Sequence, residues 1–310
     1  VVPAGAAEDP LQRGIRALES GAAAEAREVF RRLVEADGEN AVSRLWLGRA
    51  LLAESRLDEA VEQLGRAVEL SPGRAEVHLW LGRAWLAKLQ QADGVAQGRY
   101  ALRVRSAFEK AVELDPDDVQ ARVSLAHYYA NAPFIAGGSW KKARAQAAAV
   151  VDRQPLAGYL LLAGIEQQAE DWPAAEAALR RAIELDPRDA GSRFALGMVY
   201  QAMERWTAAR AAFEAAVGID PEHGLAWYQI GRTGALSGED LDRALESIDR
   251  FLERHVDAAP APYHAGAWWR RGMILEQRGD EVRAAESYRR ALEIRPDDEE
   301  IRAALAALGR

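Results

Sequence analysis

A short phrase ending in proline recurs along this chain, and its spacing limits the possible folds more than any other feature. The copies are Glu69-Leu70-Ser71-Pro72, Glu113-Leu114-Asp115-Pro116, Glu184-Leu185-Asp186-Pro187, Gly218-Ile219-Asp220-Pro221 and Glu293-Ile294-Arg295-Pro296. Each follows apolar residues spaced three and four apart, the pattern of an amphipathic helix. Upstream lies a small-residue step, then an alanine, an aromatic residue or leucine, and a second alanine. One set is Trp46-Leu47-Gly48, Ala60, Leu64, Ala67 and Pro72; another is Leu196-Gly197, Tyr200, Ala209, Phe213, Ala216 and Pro221. Gly48 to Pro72 and Gly197 to Pro221 both span 24 residues, and the full period is 34. Proline cannot continue the preceding helix, so it marks the turn. Each period therefore holds two helices, and their apolar faces are buried only by stacking on neighbours.

These phased positions resemble the tetratricopeptide repeat. The resemblance implies an all-α, right-handed α-solenoid of about eight helix–turn–helix units over residues 7–298, with a C-terminal capping helix. The units are expected at 7–40, 41–74, 75–118, 119–155, 156–189, 190–223, 224–264 and 265–298, with a flexible stretch at 1–6 and the cap at 299–310. Unit one has Gly38 where proline is expected. The stack is expected to behave as one elongated body. Gly48, Gly82, Gly197, Gly231 and Gly272 should let the first helix of a unit, helix A, approach the second, helix B. Ala60, Ala175, Ala209 and Ala284 should do the same from helix B, while Phe108, Phe213 and Tyr288 fill gaps between neighbouring units.

Three segments depart from the period. Gly82 to Pro116 spans 34 residues, ten more than usual, so around Gln90–Arg99 either the connection is longer or both helices are extended. In unit four, Pro133 and Gly137-Gly138 specify an ordered turn, and Phe134 with Ile135 gives it something to bury. Together these insertions are expected to fold over one mouth of the groove. The Pro-plus-Gly-Gly insertion is also similar to one in bacterial envelope tetratricopeptide proteins associated with transport systems. A third segment, His255–Gly266, with Pro260, Pro262, Tyr263 and His264, is expected to be a stiff linker.

Composition removes several function classes. There is no cysteine, which excludes disulfides, thiolate nucleophiles and cysteine metal sites. A net charge of −8 argues against nucleic acid as a partner. No apolar run of eighteen residues is present, so no spanning helix is expected. The five histidines, His78, His127, His223, His255 and His264, lie in no metal-ligand spacing. Phosphate-loop and G-x-S-x-G motifs are missing too. No enzyme and no cofactor are expected. Of 40 basic residues only four are lysines, Lys88, Lys110, Lys141 and Lys142.

In the tetratricopeptide family, ligands usually meet the A helices. The resemblance places positions five and nine of successive units at Leu45 and Arg49, Leu79 and Arg83, Val123 and His127, Leu160 and Gly164, Phe194 and Met198, Tyr228 and Arg232, and Trp269 and Met273. The lysine and asparagine of the family's carboxylate-clamp subset are absent there, which disfavours an acidic chaperone tail. The expected function is a non-catalytic scaffold holding a protein or peptide segment, helical or extended, on apolar anchors oriented by arginine. The alternative is a carrier for a hydrophobic small molecule or lipid, with Pro133, Phe134, Ile135, Gly137 and Gly138 at the groove mouth. A periplasmic or outer-membrane-associated location is expected, with the cytoplasm as the alternative.

Overall fold

The computed structural model describes residues 9–254 and 261–309. Among these the chain forms seventeen α-helices and one 3₁₀ turn, Phe134–Ala136. Successive helices pair as hairpins: α1 (Pro10–Glu19) with α2 (Ala23–Ala36), α3 (Ala41–Ala53) with α4 (Leu57–Leu70), α5 (Ala75–Gln91) with α6 (Gly94–Leu114), and α7 (Val119–Asn131) with α8 (Trp140–Val151). The series continues with α9 (Pro155–Gln168) and α10 (Trp172–Leu185), α11 (Ala190–Ala202) and α12 (Trp206–Ile219), α13 (Gly224–Ser237) and α14 (Leu241–Arg254), and α15 (Ala261–Gln277) and α16 (Glu281–Ile294). Helix α17 (Glu299–Ala307) packs on α16 and buries Ile301 completely, so it caps the last hairpin. No described helix is long and apolar enough to cross a membrane.

The period alone predicts one continuous body, whereas the chain divides into two compact units, one ending at Gln154 and one beginning at Pro155. Stacked repeats touch only their neighbours, so each unit is organised around its own core. Phe30, Leu45, Leu64 and Val77 are buried in the first, and Leu179, Phe213, Ile248 and Tyr288 in the second.

The recurring phrases produce a recurring turn. At six boundaries the residue four places past the last helical position donates to the carbonyl of the residue just after that helix. Examples are Arg74 N to Ser71 O at 3.1 Å, Asp118 N to Asp115 O at 3.3 Å and Asp189 N to Asp186 O at 3.3 Å. Asn40 N to Asp37 O, 3.3 Å, closes the same turn where Gly38 replaces proline. At five of the six, Arg74 being the exception, the donor residue's side chain then caps the next helix. Asn40 accepts from Val42 and Ser43, and Asp118 accepts from Gln120 and Ala121. Asp189 accepts from the Gly191 and Ser192 amides at 3.1 and 3.0 Å and from the Ser192 hydroxyl. These bonds, the Ser192 hydroxyl first, hold its carboxyl below the ordinary value of 3.8. Asp189→Ala is expected to cost about 1 kcal/mol. Because the folded pKa is the lower one, this contribution is whole above the unfolded value and is lost as pH falls through the folded value. Thermal melts of both proteins across that acid range check it.

The glycines act within a hairpin. A Cβ on Gly48 would lie 2.5 Å from Leu64 Cγ, on Gly82 2.5 Å from the Phe108 ring, and on Gly272 2.5 Å from the Tyr288 ring. Phe108, Phe213 and Tyr288, all fully buried, therefore sit over the glycine of their own repeat. Between the two helices of a hairpin the chain turns through a left-handed residue at one recurring place: Gly21, Ser55, Glu170, Glu204, Gly238 and Gly279.

The insertions resolve differently from one another. In repeat three both helices lengthen, to 17 and 21 residues, and only Ala92 and Asp93 lie between them. Both helices run up to that break, so no loop forms there to fold over a groove. In repeat four the turn is ordered, but Phe134 and Ile135 are exposed instead of buried. Ala136 takes the buried place, and its carbonyl lies 2.8 Å from the Tyr128 hydroxyl. The expected linker partly disappears: residues 255–260 lie outside those described, as do 1–6, and α15 already contains Tyr263 and His264. Proline is tolerated in a first turn because the missing N–H has no intrahelical acceptor there.

Candidate functional site

The A helices carry the residues expected to meet a partner, and burial separates them into two groups. Leu45, Leu79 and Tyr228 are core residues at 0%, 4% and 7% exposure. Their expected place on an open face is corrected, because position five turns inward against the adjoining helices in these repeats. Leu160 is exposed, as is His127, while Val123 and Gly164 are half-buried. Phe194, Met198, Trp269 and Met273 are partly buried against the core of the second unit. Phe194 stacks on His223 at 4.8 Å and tilts against Phe213 at 5.6 Å. His223 in turn caps α13, its Nδ1 accepting from Ala226 N at 3.3 Å.

In the first unit, Arg49 and Arg83 are brought together by tryptophan. The Arg49 guanidinium lies 3.7 Å from the Trp46 ring centre and 4.2 Å from that of Trp80, and Arg83 lies 4.5 Å from Trp80 on α5. Stacking of this kind is favourable and leaves the guanidinium edges available. Arg49 has Glu76 at 3.5 Å, and Arg83 donates to Gln120 Oε1 of α7 at 2.8 Å. Burial lowers the pKa of both groups, and Arg49 Nε is buried without a hydrogen-bond partner.

The second unit holds a less compensated pair. Arg232 of α13 donates to Gln201 Oε1 of α11 at 2.7 Å, a neutral acceptor. Arg270 of α15, which packs beside α13, lies over the Trp269 ring at 4.2 Å and points Nη1 at Met273 Sδ, 2.9 Å away. Its Nε is buried without a partner. Burial lowers the Arg270 pKa first; Tyr228, which accepts a hydrogen bond from it, opposes that shift, and the Arg232 charge adds to it. The attraction of Glu300 reaches Arg270 from outside ion-pair distance. Among the described residues, neither guanidinium has a carboxylate within ion-pair reach. Two desolvated like charges beside a tyrosine hydroxyl form an arrangement that one carboxylate completes.

Trp46, Trp80 and Arg270 were not among the expected contact residues. Each lies three positions before Arg49, Arg83 or Met273, hence on the same helical face. That spacing was the available signal. Two surface depressions, of about 420 and 480 Å³, are lined mainly by charged side chains, including Asp249, Glu253 and Arg271 in one and Arg13, Arg16 and Glu19 in the other.

A family model for the tetratricopeptide repeat matches residues 11–75, 47–118, 160–223, 194–239 and 233–299. No curated protein matches the sequence. Among solved structures the chain is similar to the C-terminal part of a TPR repeat-containing protein from Cytophaga hutchinsonii. The TM-score is 0.54 at 13% identity, covering 95% of this chain and 99% of that one. It is similar as well to a chain of the APC/C hetero-tetramer Cut9–Hcn1, with a TM-score of 0.52 at 16% identity, covering 92% of this chain and 52% of that one. At these identities the likeness concerns the fold alone.

Proposed function

Because this chain belongs to the tetratricopeptide repeat family, we propose that it is a non-catalytic scaffold that holds a segment of a protein partner on its A-helix faces and so mediates assembly of a complex. The family's fold is generally a protein–protein interaction scaffold, and one similar chain is part of the hetero-tetramer Cut9–Hcn1. One observation carries the finer reading: Arg232 and Arg270, both half-buried, have no carboxylate within ion-pair reach among the described residues, and Glu300 acts on Arg270 only from farther away. Their partner is an acidic segment. A carboxylate docks between the two guanidiniums, and Met198, Trp269 and Met273 supply adaptable apolar contact. The stacked helices are already ordered, so little entropy is lost on the scaffold side. Arg49, held between Trp46 and Trp80, and Arg83, stacked on Trp80, offer a second orienting point in the first unit.

No specific observation favours the carrier reading, since the surface depressions described above are predominantly charged. Panning a displayed library of twelve-residue peptides, about the length of one repeat helix, against the full chain tests the scaffold. Enrichment of peptides with an acidic residue flanked by apolar ones is expected. Recovery of basic or wholly apolar peptides instead would remove the acidic-segment reading.

A further inference from the structure

Residues 119–151, which make up repeat four, contain no aspartate or glutamate, although the chain has 48 acidic residues and a net charge of −8. This is the longest acid-free stretch in the sequence. It holds Arg122, Lys141, Lys142 and Arg144, including two of the chain's four lysines. The tip of the same hairpin presents Phe134 and Ile135 at 89% and 92% exposure. They are the two most exposed large apolar side chains among the described residues, and they are adjacent.

The loop that carries them is held firmly. Gly137 N donates to Phe134 O at 2.9 Å, Gly138 N to Pro133 O at 3.1 Å, and Ser139 N to Tyr129 O at 2.8 Å. The Arg105 guanidinium of α6 reaches Ala136 O at 3.5 Å. Gly137 is left-handed at φ +94°, and a Cβ on Gly138 would lie 2.7 Å from the Ala132 carbonyl carbon. The turn geometry accounts for the glycine pair but not for the exposed Phe-Ile beside it. Trp140, partly exposed, follows directly, and then the exposed Lys141 and Lys142. Leu102 of α6, half exposed, lies one turn before Arg105. The acid that faces this end, Glu109, is engaged by the Tyr129 hydroxyl at 2.7 Å and by Arg105 at 3.9 Å.

We propose that this end of repeat four docks on an anionic lipid bilayer, with Phe134 and Ile135 inserted among the acyl chains and Lys141 and Lys142 against the lipid phosphates. The apolar tip is convex and two residues wide, much smaller than the roughly 1,000 Å² that a stable protein interface needs. Tryptophan and lysine beside apolar side chains suit the bilayer interface, where anionic headgroups attract basic residues.

Co-flotation of the full chain with vesicles tests this, using phosphatidylcholine alone and a 3:1 mixture with phosphatidylglycerol. Binding is expected only to the anionic vesicles, weakening as salt rises. Phe134→Ser/Ile135→Ser and Lys141→Glu/Lys142→Glu should each reduce the bound fraction at least tenfold. Both pairs are exposed, so melting temperatures should stay at the wild-type value, which separates lost docking from lost folding. Absence of binding to either vesicle, or equal binding by wild type and both variants, would overturn the proposal. So would self-association on sizing chromatography that Phe134→Ser/Ile135→Ser abolishes, because the tip would then belong to a contact between copies.

Discussion

Truncating Phe213 to alanine is expected to lower the stability of the second unit by about 3–5 kcal/mol, read as a shift of the urea midpoint at constant slope. The ring is fully buried and covers Gly197, where an added Cβ would lie 2.6 Å from Phe213 Cδ1. Gly197→Ala alone should cost about 1–3 kcal/mol through overpacking, even though alanine is favoured over glycine in a helix by about 1 kcal/mol. The two changes together should cost less than their sum, since the new methyl group occupies space that the ring has left. Gly218 gives the opposite sign. Nothing lies within 4 Å of a Cβ placed there, so Gly218→Ala is expected to stabilise by about 0.5–1 kcal/mol. Equal effects at Gly197 and Gly218 would show that close helix approach is not what selects glycine at the repeat position.

Arg270→Met is expected to make the free protein more stable by about 1 kcal/mol or more, while weakening capture of an acidic peptide. The substitution keeps an unbranched apolar chain beside Trp269 and removes a desolvated charge that repels Arg232. Replacing poorly compensated buried charge with a packed apolar group is commonly neutral or stabilising. A gain in stability accompanied by a loss of binding is the signature of a site held ready for a ligand. An arginine that serves only the fold would show the reverse, a lower melting temperature without a change in binding, and differential scanning calorimetry distinguishes the two.

The repeat architecture was legible because its determinants are local and periodic. Proline ends a helix wherever it stands, Asp118 and Asp189 cap from the place the pattern assigns them, and each small residue faces a large one such as Leu64 or Phe213. The left-handed turns at Ser55, Glu170 and Glu204 carry no glycine signal, and the helices on either side impose that geometry. The division at Gln154 left no mark in a period that runs on past it. At the candidate site, position five was misplaced for Leu45, Leu79 and Tyr228 because an apolar residue on an A helix reads alike whether it faces a partner or the adjoining helix. Arg270 escaped notice for the opposite reason. Its significance lies in having no carboxylate within ion-pair reach among the described residues, a property of several helices together that no single segment records. Phe134 and Ile135 were expected to be buried on hydrophobicity alone, yet the backbone around Gly137 and Gly138 turns them outward.

The central claim, that the A-helix face of the second unit holds an acidic segment of a partner, is tested most directly by calorimetric titration. An acidic peptide recovered from the displayed library would be titrated into wild-type protein and into Arg232→Gln/Arg270→Met. The variant is predicted to bind about thirtyfold more weakly, equivalent to about 2 kcal/mol, and the peptide with its acidic residue amidated should bind wild type as weakly. Equal affinity of the acidic peptide for both proteins would contradict the claim.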